Sequence, residues 1–222
     1  MTEIYYARLT PLYAERIFGK SLLLLPELRR KKIERYRHLE DRCRSLGAGL
    51  LLEEGLRRRG FTLLDGVRDC KKIAIVEGEH GKPYFSGCRE LFFNMSHAGN
   101  YAVAAFSEKE IGVDIECMGR YRESIVRRFF CEDEKAYLDA AEDTEQAFLE
   151  IWTKKESYIK ALGRGISLPL DSFSSLESRP PIRTWSKPEG YCISACGSEV
   201  WSAKLFELDF EVDLEKLFDG IF

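Results

Sequence analysis

At 222 residues the chain can bury a substantial core, as one large domain or as two smaller lobes. Its 45% hydrophobic and 32% charged residues, with a mean hydropathy of -0.29, are those of an ordinary globular protein, and a net charge of -3 argues against a general nucleic-acid binder. No stretch approaches the roughly 20 apolar residues of a membrane helix, and MTEIYYARLT lacks the basic-then-apolar pattern of a secretory signal, so a cytoplasmic protein without membrane association is expected.

The cysteines, at positions 43, 70, 88, 117, 131, 192 and 196, are odd in number and lack the paired spacing of a zinc site. Cys192 and Cys196 come nearest to a pair, but no further Cys or His completes a set, and free thiols are expected.

In chain order, Ile4 to Leu9 predicts a first strand. After Pro26 comes a basic segment, Glu27 to Leu46, with eight Lys or Arg against four acids, which leaves the rest of the chain acidic. It reads as a helix running into a second helix, Ser45 to Arg59, stopped at Gly60. Such a run is either a solvated face or a seat for a phosphate-rich small molecule, which Arg and Lys hold by charge and forked hydrogen bonds. Lys71 to Val76 predicts a strand, and the turn Gly81-Lys82-Pro83 then holds a lysine on a stiff loop. Leu91 to Asn94 and Tyr101 to Ser107 read as strands flanking a polar loop, where Ser96, His97 and nearby amides could together hold an anion.

The hexapeptide Ile111 to Glu116, IGVDIE, alternates as a strand does. Ile111, Val113 and Ile115 take one face; Gly112, Asp114 and Glu116 take the other. Same-face side chains lie about 7 Å apart, so both carboxylates can reach one hard cation, and the glycine leaves room for something bulky. The alternative is an edge strand whose acidic face meets water.

Helices are expected from about Glu123 to Arg128, from near Asp133, and across Ala147 to Leu162, the last with Asp143 and Gln146 at capping-box spacing and Gly163 as its stop. Phe148, Ile151, Trp152, Ile159 and Leu162 form its apolar stripe, interrupted by Lys155 and bordered by Glu156. Trp152, Glu156 and Lys160 stack at i, i+4 and i+8; Glu156 with Lys160 is either a surface ion pair or part of a site. ISLPLDSFS reads as loop and strand, Trp185 to Leu208 as two or three antiparallel strands, and the acidic tail from Glu207 as a closing strand or helix. Carboxylates on a strand and a helix, with phosphate-seeking groups around them, suit a magnesium ion bridging protein and phosphate.

The motifs GKPYF (81–85), FFNMSHAG (92–99), IGVDIE (111–116), RRFFCEDE (127–134) and WTKKESYIKALGRGISLPLDSFS (152–174) resemble, in order, those of the 4'-phosphopantetheinyl transferases of the single-chain surfactin-synthetase type. The resemblance covers about the middle half of the chain, and its specific part is the pairing of G-x-D-x-E with W-x-x-K-E-x-x-x-K. Met95 departs from the usual Leu or Ile.

The resemblance implies an α+β fold of two similar lobes in one chain, residues 1–108 and 109–222, with coenzyme A between them and a monomer expected. It implies transfer of the phosphopantetheine arm of coenzyme A to a serine of an acyl or peptidyl carrier protein, releasing 3',5'-adenosine bisphosphate. Asp114, Glu116 and Glu156 match magnesium ligands; Glu134 or Glu156 would accept the serine proton. Lys155 and Lys160 would steady the diphosphate, Lys82, Ser96 and His97 would touch coenzyme A, and Arg44, Ser45, Arg30, Lys32 and Arg37 would meet its 3'-phosphate. The competing readings are a magnesium-dependent phosphohydrolase and a non-catalytic module that binds coenzyme A or a carrier.

Overall fold

The computed structural model describes residues 1–78, 80–163 and 168–214. The first lobe is built from β1 (Glu3–Arg8), helices α1 (Glu15–Leu22), α2 (Glu27–Glu34) and α3 (Leu39–Arg57), short strands β2 (Phe61–Thr62), β3 (Lys71–Lys72), β4 (Ala74–Glu77) and β5 (Pro83–Ser86), and the long strands β6 (Phe92–Ala98) and β7 (Tyr101–Ser107). The second has β8 (Gly112–Cys117), α4 (Glu123–Phe129), α5 (Glu132–Asp139), α6 (Thr144–Leu162), β9 (Ile182–Trp185) and β10 (Tyr191–Cys196), and the last strand is β11 (Lys204–Leu208). None of the described helices is long and apolar enough to cross a membrane.

Two sheets, ordered β11-β1-β7-β6 and β8-β10-β9, pack face to face with helices outside each, which makes the fold α+β. Strand alternation builds the layers. Ile4 and Tyr6 of β1, with Val103 and Ala105 of β7, meet Ile111, Val113, Ile115, Ile193 and Ala195 between the sheets. Tyr5, Ala7, Ala102, Ala104 and Phe106 point the other way, onto the leucines of α3. On the far side, Cys192 faces Phe148, Leu149 and Ile151 of α6. Each lobe thus lays one 19-residue helix across its sheet, the similarity between lobes that composition alone did not display.

Several expectations change. The basic segment is not one continuous helix: α2 ends at Glu34 and α3 begins at Leu39. Ser96 and His97 are not in a loop but in β6, paired with Val103 and Ala102, so the ladder with β7 claims the backbone there. The last strand leaves the second lobe altogether; β11 pairs in parallel with β1, so a division at 108/109 leaves the first sheet holding a strand from the chain's far end. From residue 168 the ISLPLDSFS segment is loop with a single turn of 3₁₀ helix at Leu170–Ser172, and 166–167 lie outside the described residues. The tail beyond β11 buries Phe210 and Leu214 against the first lobe; its remainder, 215–222, is outside the described residues.

Helix α6 is framed as its caps predict, with the Asp143 carboxylate accepting from the Gln146 amide at 2.9 Å and Gly163 in the left-handed region at φ 64°. Its second half differs from the expected stripe. Thr153, Lys155, Ser157 and Ala161, not Ile159 and Leu162, are its buried residues, and the small ones among them lie almost on the backbone of β8. A Cβ at Gly112 would overlap Ser157 O and Ala161 N. The bulky partner that the glycine admits is therefore this helix. Gly112→Ala is expected to cost about 3 kcal/mol or more, since both obstructing groups are backbone, and chemical denaturation of the purified variant measures it.

Candidate active site

The acidic face of β8 is covered, not open to water. Gly112, Asp114 and Glu116 share that face, and α6 lies across it with Ala161 and Ser157 over Gly112 and Lys160 beside Asp114. Asp114 is buried, and two donors converge on one of its oxygens: Lys160 Nζ at 2.6 Å and Ser96 Oγ at 2.7 Å, with Lys160 also 3.0 Å from Ser96. Among the described residues, the other oxygen, Oδ2, is buried without a hydrogen bond, as is Glu116 Oε2, which has Arg120 at 3.8 Å. Beside them, Asn94 Oδ1 accepts from the Val113 amide at 3.0 Å, which satisfies an edge N–H of β8 that no strand reaches.

This crowding shifts the acids. Burial, and then the negative charge of Asp114, lift the Glu116 carboxyl to about 7, against the opposing pull of Arg120, Lys160 and the Trp152 indole. Glu156 is raised by the same two causes, with Lys160 opposing. Under-compensated oxygens of hard type are what a divalent magnesium ion takes, so the donor chemistry fits one. The side chains are not gathered for it, however: among the described residues no three His, Cys, Asp or Glu converge closely enough to hold a metal ion.

Beyond Lys160 opens a cleft of about 330 Å³. Arg29 and Lys32 reach it from α2, Ser45 from α3, Ser96 and His97 from β6, and Lys160 from α6. Partial burial and the neighbouring cations Arg44, Lys160 and Arg29 lower the His97 pKa, so the imidazole is neutral near pH 7 and adds a hydrogen-bonding edge to a basic wall. Arg44 stands by, bound to Asp41 at 2.6 Å and to Gly99 O at 3.4 Å.

Arg29 is the residue that the sequence reading missed. Its Nη2 donates to Ser45 O at 3.2 Å while its Nε is buried without a partner, and burial lowers its pKa. Gly49 of α3 lets Leu25 and Arg29 approach closely enough to bring the guanidinium here. The available signal was helical spacing: Arg29, Lys32 and Ile33 fall at i, i+3 and i+4, so the buried Ile33 fixes which side faces inward.

Other expected residues stand elsewhere. Arg37 is exposed in the break between α2 and α3, and neither it nor Arg30 lines the cleft. Lys82 is buried, with its ammonium paired to Glu110 and donating to Ala161 O at 2.8 Å; it ties its loop to the end of α6. Lys155 and Glu134 are found paired with each other. Both side chains are 0% exposed and form an ion pair at 2.7 Å. Lys155 also donates to Leu170 O at 2.7 Å and Phe173 O at 2.8 Å, and Glu134 accepts from the amides of Cys131 and Ser175. Together they moor α5 and the loop after α6 to that helix.

Two family models match in succession: "4'-phosphopantetheinyl transferase, N-terminal" over residues 11–110 and "4'-phosphopantetheinyl transferase superfamily" over residues 110–204. A 4'-phosphopantetheinyl transferase of Bacillus subtilis is 36% identical over 186 residues, covering 77% of this chain and 80% of its own. The 4'-phosphopantetheinyl transferase Sfp of Bacillus subtilis strain 168 is 34% identical over the same shares, and the gsp transferase of Aneurinibacillus migulanus is 35% identical over 63% of this chain and 56% of its own. Arg29, Lys32 and Lys160 line the cleft, and Lys160 joins it to the carboxylate of Asp114. The chain belongs to the 4'-phosphopantetheinyl transferase superfamily and is a transferase of the Sfp type.

Two predictions follow from the burial. Lys155→Met leaves the Glu134 carboxylate uncompensated in the interior and is expected to cost about 3–5 kcal/mol in urea denaturation. Adding Glu134→Gln, which keeps an acceptor for Ser175 but removes the charge, is expected to recover part of that loss. For Glu116 the folded pKa, about 7, exceeds the ordinary 4.5, so the native state binds the proton more tightly than the unfolded chain. Its contribution to stability therefore falls as pH rises between those values. The ligand-free wild type is expected to lose stability from about pH 5 to about pH 8 relative to Glu116→Gln, and parallel denaturation curves would refute this.

Proposed function

We propose that the chain transfers the 4'-phosphopantetheine arm of coenzyme A to a serine hydroxyl of an acyl or peptidyl carrier protein, releasing 3',5'-adenosine bisphosphate. The observation that carries the reading is the junction at Lys160, where a cationic cleft meets the acidic face of β8. Arg29 and Lys32 bring full positive charge and Ser45 and His97 bring hydrogen-bonding groups for the bisphosphate end, while Lys160 stands where a diphosphate would reach the carboxylates.

Asp114, Glu116 and Glu156 would hold a magnesium ion, which when bound neutralises the diphosphate and stabilises charge on the leaving phosphate. The serine oxygen forms a bond to the phosphorus that carries pantetheine, and the bond from that phosphorus to the bridging oxygen breaks, leaving its electrons on the bisphosphate. Glu156 is the better placed acceptor for the serine proton. It is half-buried beside Asp114 and Lys160, whereas Glu134 is saturated by Lys155 and two amides.

Intact mass of apo acyl and apo peptidyl carriers, each incubated with the protein, coenzyme A and magnesium, tests the reading. A gain of one phosphopantetheine that disappears without magnesium is the expected result, and release of adenosine bisphosphate with no carrier present would point to a phosphohydrolase instead. Glu156→Gln is expected to transfer almost nothing while still binding coenzyme A, and Arg29→Ala to raise the KM for coenzyme A about tenfold or more. Wild-type transfer by Glu156→Gln would refute the role given to that carboxylate.

A further inference from the structure

The contact between Lys160 and Asp114 puts an ammonium inside the carboxylate group instead of in the cleft it also lines. Among the described residues both donors to Asp114, Lys160 Nζ and Ser96 Oγ, crowd onto Oδ1, while Oδ2 and the Glu116 Oε2 remain buried without hydrogen bonds. Among the described residues two cations thus face three acids, Asp114, Glu116 and Glu156: Lys160 satisfies one oxygen of Asp114, and Arg120 stands 3.8 Å from Glu116 without a hydrogen bond to it. The Lys160 side chain is still 27% exposed, so its flexible end has a way out of the group without any movement of α6.

We propose that Lys160 is the resident counter-ion of the ligand-free site, and that a divalent cation displaces it from Asp114 and sends its ammonium into the cleft beside His97 and Ser45. The proposal rests on the functional reading above and adds an exchange to it. Metal and lysine then compete for Asp114 until a phosphorylated ligand arrives, and that ligand captures the released ammonium. The competition weakens metal binding alone, and its relief couples the metal to the ligand: whichever binds first favours the other, by the reciprocity that linkage requires.

The test is titration of magnesium into the protein without coenzyme A, followed by calorimetry, for the wild type and for Lys160→Met, which keeps the chain length and removes the charge. The variant is expected to bind magnesium at least tenfold more tightly, about 1.4 kcal/mol. Equal or weaker binding would overturn the exchange while leaving the metal in place; binding to neither protein would overturn the metal role in the functional reading together with the exchange. A second measurement uses the wild type alone and does not depend on the variant folding. Mass-spectrometric mapping of lysine acetylation is expected to show Lys160 more reactive in saturating magnesium than without it, and unchanged or reduced labelling would refute the displacement.

Discussion

The contact on which the site depends is between two backbones. Helix α6 lies on β8 because position 112 has no side chain, and the small residues Ser157 and Ala161 fill the line of contact. At that distance, charged side chains on the flank of the helix cannot reach past the strand into water; they meet the strand's own outward residues. Lys160 is thereby delivered to Asp114 and Trp152 to the neighbourhood of Glu116. The acids acquire their environment from helix packing, and their pKa shifts are consequences of it.

Such packing puts several charges where water is scarce, and the structure resolves the two flanks of α6 differently. On one flank Lys155 and Glu134 neutralise each other completely and use their remaining hydrogen-bonding capacity on carbonyls and amides of α5 and the following loop. That pair is closed, and a closed buried pair contributes architecture. On the other flank the balance is left open, with oxygens on Asp114 and Glu116 that have no hydrogen bond among the described residues. An incomplete balance at a cleft is the electrostatic signature of a site that expects a ligand.

Much of this was legible in the sequence. The alternation in IGVDIE gave the strand and both its faces, and the Asp143 and Gly163 caps framed α6 correctly. Contributions from distant parts of the chain were not legible. Gly112 announced a close approach without saying what approaches, and nothing local announced the pairing of Lys155 with Glu134, 21 residues earlier on another helix. Ser96 and His97 looked like loop because polar residues seldom fill a strand; they do so here at the sheet edge next to the cleft, where Ser96 meets a carboxylate. Arg29 was hidden among seven basic neighbours, and only the burial of Ile33 shows which face of α2 turns inward. The parallel pairing of β11 with β1 joins strands almost 200 residues apart, a contact no local pattern encodes.

That last pairing bears on the chemistry. The cations of the cleft come mostly from α2 and the acids from β8 and α6, so the site exists only while the two lobes hold a fixed register. Three features hold it. The apolar layer between the sheets supplies most of the energy but little direction, because dispersion and burial are not specific to one register. The Asn94 bond to the Val113 amide and the Ser96 bond to Asp114 are directional, and they sit two residues apart on β6 opposite adjacent residues of β8. Strand β11 then carries the chain back from the second lobe into the first sheet, so the lobes are joined at both ends of the second and not by a single linker. Sliding one lobe by a single residue would place Ser96 away from Asp114 and withdraw the basic wall from Lys160; the polar contacts that fix the register are the same ones that assemble the site.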